Sequence, residues 1–241
     1  MSNGIRVFSA GPLSVLAILL LIGLVIVIIP LLFLGLVGAA FTKLGFSWIT
    51  ALAVVLLILF GSTVNIPVYR MKRDVVRVAH NDPSLYEAGA FRVADQAWES
   101  VISLNLGGAI IPVCISIYLL YSATTIGGLS LNSLLPLVGM GAIFVAVVSF
   151  VATRVTPGVG IRVPVLIPAL TALLAGILLS GGTGLSAAVI AFVSGISGTL
   201  LGGNIAQVFR IKDLEVPGMN IGGSGTFTTI FICCILPALI A

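Results

Sequence analysis

Apolar runs of about 20 residues recur along the whole chain, and they limit its fold more than any other feature. The first of them extends from Pro12 to Phe41. A run of ~20 apolar residues is long enough to cross the ~30 Å hydrocarbon core of a bilayer as a helix. Of the 241 residues, 59% are hydrophobic and only 7% are charged, whereas about a quarter of an ordinary globular sequence is charged. The sequence therefore predicts an all-α integral membrane protein.

Polar turns divide the apolar runs into about seven transmembrane helices. We predict spans at 12–41, 47–66, 101–121, 133–153, 163–180, 185–208 and 220–241. The first run is too long for the apolar part of a signal peptide, so we interpret it as an uncleaved span. Residues 70–100 form the one sizeable polar segment, which is too short for a domain with its own core. We therefore treat residues 1–241 as a single membrane domain.

The positions of the charges predict how the chain is oriented. With seven spans, ten of the eleven Lys and Arg residues lie on one side, and only Lys43 lies on the other. An excess of Lys and Arg in short loops marks the cytoplasmic face. We expect a plasma-membrane protein with its N-terminus and the 70–100 segment in the cytoplasm and its C-terminus outside. The expected partner is the lipid bilayer and not nucleic acid, and a homo-oligomer or a partner in a membrane complex both stay open.

Two pairs of similar segments suggest an internal repeat. Residues 65–70 (NIPVYR) resemble residues 204–210 (NIAQVFR), and residues 105–108 (NLGG) resemble residues 220–223 (NIGG). The halves would be 12–121 and 163–241, two parallel three-helix repeats joined by a linker helix, related by an axis along the membrane normal. Coincidence in a glycine-rich chain is the alternative interpretation.

Four of the seven asparagines fall in these paired segments: Asn65, Asn105, Asn204 and Asn220. Asparagine within a span needs partners, which are other helices, water or a ligand. One interpretation is that the carboxamides hold helices together. The other is a substrate or ion site near the cytoplasmic end of the bundle, where Ser224 and Thr228 would add hydroxyl groups. The hydroxyl groups of Thr226 and Thr229 lie in the same segment, and all four either line this site or bond back to their own helix.

Groups for acid–base or metal chemistry are missing from the predicted spans. We find no ionisable residue within them and no metal-ligand spacing, so we expect no metal, no cofactor and no catalytic residue, and the sequence favours a protein that is not an enzyme. The run Gly222-Gly223-Ser224-Gly225 at a predicted helix start can cradle an anion through its backbone N–H groups. Helix packing is the commoner use of such a run.

Five motifs together resemble an uncharacterised family of prokaryotic multi-pass membrane proteins, domain of unknown function 1614. The motifs are GSTVNIP (61–67), NLGGAIIP (105–112), TPGVGIRVP (156–164), GTLLGGN (198–204) and NIGGSGTF (220–227). The resemblance covers nearly the whole chain and implies no established activity.

The resemblance also implies two acidic positions that this chain lacks. Many members read G-A-D at 202–204 and carry aspartate in the motif that ends at Thr229, where this chain has Asn204 and Thr228. Such a pair is distantly similar to intramembrane aspartyl proteases of the presenilin and prepilin-peptidase type, whose mechanism needs two carboxyl groups. Asparagine and threonine cannot replace them.

Three function classes remain. The leading hypothesis is a non-enzymatic protein that binds or translocates a small solute or ion in a polar pocket at the cytoplasmic side. The second is a structural or accessory subunit of a larger membrane complex. The third is an inactive relative of the intramembrane aspartyl proteases.

Overall fold

The computed structural model describes residues 12–73, 98–156, 160–211 and 218–240. Most of the predicted cytoplasmic segment 70–100 and the charged loop around Lys212 lie outside these residues. The described part is mostly helical. Its helices are α1 (Pro12–Lys43), α2 (Trp48–Gly61), α3 (Ile111–Thr125), α4 (Leu131–Ala152), α5 (Leu166–Ser180), α6 (Leu185–Gly198), α7 (Val208–Ile211) and α8 (Phe227–Ile235).

Irregular helical turns adjoin four of these helices, α3, α6, α7 and α8. The π-helical segment π1 (Leu106–Ile110) leads into α3, and π2 (Thr199–Asn204) continues α6. A 3-10 turn at Ile205–Gln207 follows π2, and another at Leu236–Leu239 follows α8. Both π segments contain the tripeptide Leu-Gly-Gly. Short π-helical segments occur frequently at functional sites, which draws attention to these two places.

Helix α6 forms the centre of the bundle. Its residues from Ala187 to Ile196 are all buried, and the helix packs against α3, α4, α5 and α8. Alanine, glycine and serine make up most of this helix, and small residues allow neighbouring backbones to approach closely. The core of the molecule therefore surrounds α6, which π2 continues as far as Asn204.

Four helical segments are long and apolar enough to cross a membrane: Val15–Lys43, Leu106–Thr125, Leu131–Ala152 and Leu185–Gln207. Two shorter apolar helices are Trp48–Gly61 and Leu166–Ser180. The prediction of a helical, membrane-compatible protein is confirmed. The count of seven transmembrane helices is not.

The prediction of an all-α protein is wrong at the ends of the helices, where small sheets form. Strand β1 (Asn65–Arg73) pairs antiparallel with β2 (Trp98–Asn105), and β2 pairs in parallel with β5 (Gly218–Ile221). A separate hairpin joins β3 (Arg154–Thr156) to β4 (Gly160–Arg162). These strands and the turns beside them take the place of predicted helix ends at 62–66, 101–105 and 220–226.

The conformational preferences of individual residues explain why strands form at these positions. Pro67 cannot continue a helix, and a proline that cannot donate to a ladder fits a strand at the edge of a sheet. The mixed β-branched and polar residues of 101–105 favour a strand, but in a hydropathy window they resemble the start of a span. Each of these strands finds its hydrogen-bond partners in a segment distant in the chain.

The internal repeat is not confirmed, because its paired segments differ in conformation. Residues 65–70 form strand β1, whereas residues 204–210 are helical. Asn105 and Asn220 both lie near the ends of paired parallel strands, but the register sets Asn220 opposite Ser103. The chain then continues into a π helix after Asn105, and into a turn with positive φ at Gly222 after Asn220.

The connections lie alternately at two ends of the bundle. In the three-stranded sheet, β1 follows α2, β2 leads through π1 into α3, and β5 precedes α8. The sheet therefore brings these three helix ends together. The turn between α5 and α6 lies close to the end of the chain, since Gly184 donates its N–H to the carbonyl of Ile240 at 2.6 Å. Asn204 and the start of α8 therefore lie at one end, which we call the polar end, and the 181–184 turn lies at the other.

Candidate functional site

Asn65 and Asn105 lie directly opposite each other in the β1–β2 ladder. The amide nitrogen of Asn105 donates to Asn65 Oδ1 at 3.0 Å and to the carbonyl of Ser62 at 2.7 Å. Asn105 Oδ1 accepts from the backbone N–H of Gly108 at 2.7 Å and so caps the first turn of π1. With 2% of its surface exposed, Asn105 uses its carboxamide to join strand, helix and turn.

Asn220 lies on the neighbouring strand of the same sheet. Its Oδ1 accepts a hydrogen bond from the hydroxyl group of Ser103, and its side chain is exposed. The structure therefore brings three of the four predicted asparagines onto one sheet. Their contacts are within the protein, which favours the interpretation that these carboxamides hold the elements together.

Asn204 is set apart from the other three. It ends π2, is fully buried, and accepts a hydrogen bond at Oδ1 from the hydroxyl group of Thr226 at 3.0 Å. Its amide nitrogen Nδ2, also buried, has no hydrogen-bond partner in the described part of the chain. Buried polar atoms almost always have a partner, so each exception needs an explanation. Among the predicted site residues, Asn204 is the one with unused binding capacity.

Ser224 and Thr228 flank the partner of Asn204 in the chain. Ser224 lies in the turn before α8 and Thr228 lies in its first turn, and both are exposed. Between and beside them, Thr226 and Thr229 are buried, and the Thr229 hydroxyl group donates to the carbonyl of Val163 at 3.3 Å. Ser224 and Thr228 therefore lie at the surface of the site, whereas their neighbours Thr226 and Thr229 are buried.

Close backbone contacts hold the segments around Asn204 together. A Cβ atom on Gly202 would overlap the carbonyl of Ala146 in α4, and one on Gly225 would overlap the carbonyl of Ile161 in β4. The N–H of Val163 donates to the carbonyl of Gly225 at 3.0 Å. We call this meeting point of π2, the C-terminal end of α4, β4 and the start of α8 the polar junction.

Helix α8 begins at the polar junction without a side-chain cap. Thr226 is its N-cap residue, but the hydroxyl group points to Asn204 and makes no capping bond. The carbonyl of Gly223 accepts from the N–H groups of Thr226 and Phe227, each at 2.8 Å. For the N–H groups of Thr228 and Thr229 the described residues supply no partner. Uncapped N–H groups give a helix N-terminus a positive partial charge.

Arginine residues lie near the same end of the bundle. Arg154 and Arg162 are paired across the β3–β4 hairpin, next to the residues that contact Gly225. Arg210 lies over the ring of Phe150, 4.9 Å from its centroid, and its Nη1 donates to Gln207 Oε1 at 3.4 Å. Segments 154–162 and 204–211 contain these three arginines and no acidic residue. These three side chains therefore bring positive charge to the described surroundings of the polar junction.

Ser149, Gln207 and Thr226 complete the polar junction, and sequence reasoning missed Ser149 and Gln207. Gln207 is fully buried and donates through Nε2 to the carbonyls of Phe150 at 3.0 Å and Gly202 at 3.3 Å. The buried hydroxyl group of Ser149 lacks a partner among the described residues. The N-cap position of Thr226 after a glycine turn is a readable signal. Nothing in the apolar run around Ser149 distinguishes it.

Catalytic and metal-binding groups are few in this region. Among the described residues no three His, Cys, Asp or Glu side chains lie together as a metal site. Cys233 and Cys234 are buried free thiols in α8. The positions that would hold the two aspartates of a protease are the buried Asn204 and the exposed Thr228, and neither side chain is a carboxylic acid.

Comparison with known families gives one match. The sequence model of a family described as "Protein of unknown function (DUF1614)" matches residues 59–240. Searches of curated proteins and of solved structures gave no significant match. The family resemblance predicted from the motifs is confirmed, and the matched residues include the sheet, the polar junction and every candidate site residue.

Proposed function

The chain belongs to the DUF1614 family of proteins of unknown function, and we propose from its geometry that it is a multi-pass membrane protein that binds a small solute or ion at the polar junction. Asn204 and Thr226 form the centre of this site. Ser224 and Thr228 lie at its surface, on the side from which a ligand enters. Asn65, Asn105 and Asn220 stabilise the sheet beside it.

The unpaired amide of Asn204 is the observation that carries this proposal. A buried donor without a partner costs about 1–3 kcal/mol of stability, and a bound acceptor removes that cost. Leucine at this position would avoid the penalty altogether. A carboxamide whose oxygen is held by Thr226 and whose nitrogen remains unused is typical of a site prepared for a ligand.

The hydrogen bonds of the buried amides also distinguish Asn204 from residues that only hold the fold together. Asn105 makes three hydrogen bonds within the protein, and Gln207 makes bonds to two backbone carbonyls. Both are buried amides that stabilise the fold by bonding to it. Asn204 is equally buried but makes a single bond, so packing does not account for its polar nitrogen.

The proposal includes seven membrane crossings, with this site at the cytoplasmic face. The connections alternate between the two ends of the bundle, and the Arg-containing hairpin and α7 lie at the polar end. Helices α2 and α5 have 14 and 15 residues, roughly 21–23 Å at ~1.5 Å per residue, which is short for a ~30 Å core. The sheet and the turns would occupy the remaining depth, which membrane proteins tolerate where such backbone is enclosed by protein.

The test uses the full-length protein in lipid nanodiscs and a panel of small ligands. The panel contains sodium and potassium salts, halides, and neutral and charged amino acids, and the readout is the thermal unfolding midpoint. A ligand that binds the folded state raises this midpoint in proportion to its occupancy. We expect at least one panel member to stabilise the parent protein but not the Asn204→Leu variant. A panel without any effect on the parent would contradict the proposal.

Helix α1 favours an accessory subunit as a second candidate function. Residues 15–33 are exposed on every side, and they include Gly23, around which there is open space. The helix is attached through its second half, where Phe33 lies 6.0 Å from Phe231 between ring centroids. Glycine on an apolar helix surface permits close approach of another helix. Native mass spectrometry after extraction in mild detergent would reveal a stoichiometric partner under this hypothesis, and a stable monomer would count against it.

A further inference from the structure

We propose that the ligand of the polar junction is a small inorganic anion, bound between Asn204 Nδ2 and the N-terminus of α8. This inference rests on the proposed function and names the chemical class of its ligand. Two features support it, one from the helix and one from the buried side chain.

The first feature is the uncapped start of α8, a helix of nine residues. Its N-cap residue has directed its hydroxyl group to Asn204, so the N–H groups of Thr228 and Thr229 keep their capacity to donate. Such N–H groups and the helix dipole together favour negative charge. A cation at this place would be repelled by the same partial charge.

The second feature is the orientation of the Asn204 carboxamide. Its oxygen contacts the N-cap residue Thr226 at 3.0 Å, so the planar group lies against the start of α8. The nitrogen of the same group is buried and unpaired. Because the group still free to interact is a donor, its missing partner is an acceptor.

The nearby charges and the close packing of the backbone limit the kind of anion that can bind. Arg154 and Arg162 on the β3–β4 hairpin and Arg210 in α7 bring positive charge to this end of the bundle. They raise the local concentration of anions and attract them towards the site. The contacts of Gly202 and Gly225 with neighbouring carbonyls leave the backbone closely packed. This close packing favours a monatomic or similarly compact anion, such as chloride, bromide or nitrate, over an organic metabolite.

The test compares anions on the full-length protein in phosphatidylcholine nanodiscs. The sodium salts of chloride, bromide and nitrate are each titrated against gluconate at constant ionic strength, while thermal unfolding is followed by tryptophan fluorescence. We expect a saturable rise in the unfolding midpoint with each compact anion and none with gluconate. Replacing sodium by choline should leave the rise unchanged.

Matched variants connect the effect to the site. Asn204→Leu removes the donor and Asn204→Asp places a carboxylate where the anion binds, so both should abolish the anion-dependent rise. Asn132→Asp makes the same chemical change at an exposed asparagine of α4 and should retain it. Arg162→Gln should raise the half-saturating anion concentration several-fold. If the Asn204 variants do not fold, line broadening of the chloride-35 resonance by the parent, reversed by bromide, replaces them as the readout.

The outcomes distinguish this inference from the proposed function. Stabilisation by sodium, potassium or an amino acid that depends on Asn204, with no anion effect, would overturn the inference and leave the proposed function standing. Loss of the halide effect in phosphatidylglycerol nanodiscs would assign the site to a lipid phosphate and overturn it as well. An absence of any ligand effect on the parent would overturn both.

Discussion

At the scale of single residues, the hydroxyl group of Thr226 decides the chemistry of the polar junction. A threonine at an N-cap normally bonds to the second or third N–H of its helix. Here it bonds to Asn204 Oδ1 instead, which leaves the helix start uncapped and fixes the carboxamide. One side chain therefore creates both halves of the candidate site.

Thr226→Val tests this role directly. The change keeps the shape of the side chain and removes the hydroxyl group, so Asn204 Oδ1 loses its partner and, like Nδ2, is left without one among the described residues. We expect a loss of about 1–3 kcal/mol in the free energy of unfolding and a loss of ligand-dependent stabilisation. Thr226→Ser retains the hydroxyl group and should retain most of both. Equal behaviour of the two variants would show that the hydroxyl group has no role.

Asn105→Ala is predicted to be the most destabilising of the single asparagine substitutions. It removes three hydrogen bonds and the cap of π1 from a buried position. We expect a loss of about 2–4 kcal/mol in the free energy of unfolding. Asn132→Ala, at an exposed position of α4, should change it by less than ~0.5 kcal/mol. An effect of Asn105→Ala as small as that of the control would mean that the carboxamide is not structural.

The sequence located these residues better than it described them. The paired motifs singled out Asn65, Asn105 and Asn220, and the structure places all three on one sheet. Their mutual pairing depends on strands that lie up to 117 positions apart in the case of Ser103 and Asn220, and no local pattern encodes such a register. The distinction between satisfied and unsatisfied carboxamides is likewise visible only after the chain is folded.

At the scale of elements, glycine brings the π segments against their neighbours. Gly107 in π1 contacts the backbone of α2, and Gly202 in π2 contacts the backbone of α4. Small residues at such contacts are a general means of packing helices in membranes. The sequence favoured helix packing as the commoner use of the 222–225 glycine run, but it predicted regular helix where π segments and strands form.

Gly202→Ala measures how tightly π2 is packed. The added methyl group would overlap the carbonyl of Ala146, so either the π segment or α4 must shift. We expect a loss of about 1–3 kcal/mol in the free energy of unfolding. Gly139→Ala is the matched control, because Gly139 lies in α4 with nothing within 4 Å of the added atom. If the two variants are equally stable, π2 is not tightly packed against α4.

At the scale of the whole molecule, the polar groups are concentrated at one end of an apolar bundle. The sheet, the polar junction and the Arg-containing hairpin lie at this end, and the 181–184 turn meets Ile240 at the other. Composition alone predicted a helical membrane protein. It did not predict the sheets, because segments rich in Gly, Asn, Ser and Thr look alike in a hydropathy profile whether they end a helix or form a strand.

Reporter fusions test the orientation of this arrangement. We expect a periplasmic reporter to be active when it is fused after Ala241 or inserted at the 126–130 turn, and inactive when inserted within 74–97. The reason is that Lys and Arg are retained on the cytoplasmic side, and ten of eleven lie on one side of the seven-span arrangement. A reporter after Ala241 that behaves as a cytoplasmic protein would show that the number of crossings is even or that the orientation is reversed.

The most direct measurement of the central claim is a crystal structure of the full-length protein grown in bromide, with data collected at the bromine absorption edge. The account predicts an anomalous peak in contact with Asn204 Nδ2 and with the N–H group of Thr228 or Thr229. It also predicts that the peak disappears in Asn204→Leu crystals. An Asn204 amide that donates to a carbonyl of the protein itself, with no bound density beside α8, would contradict it.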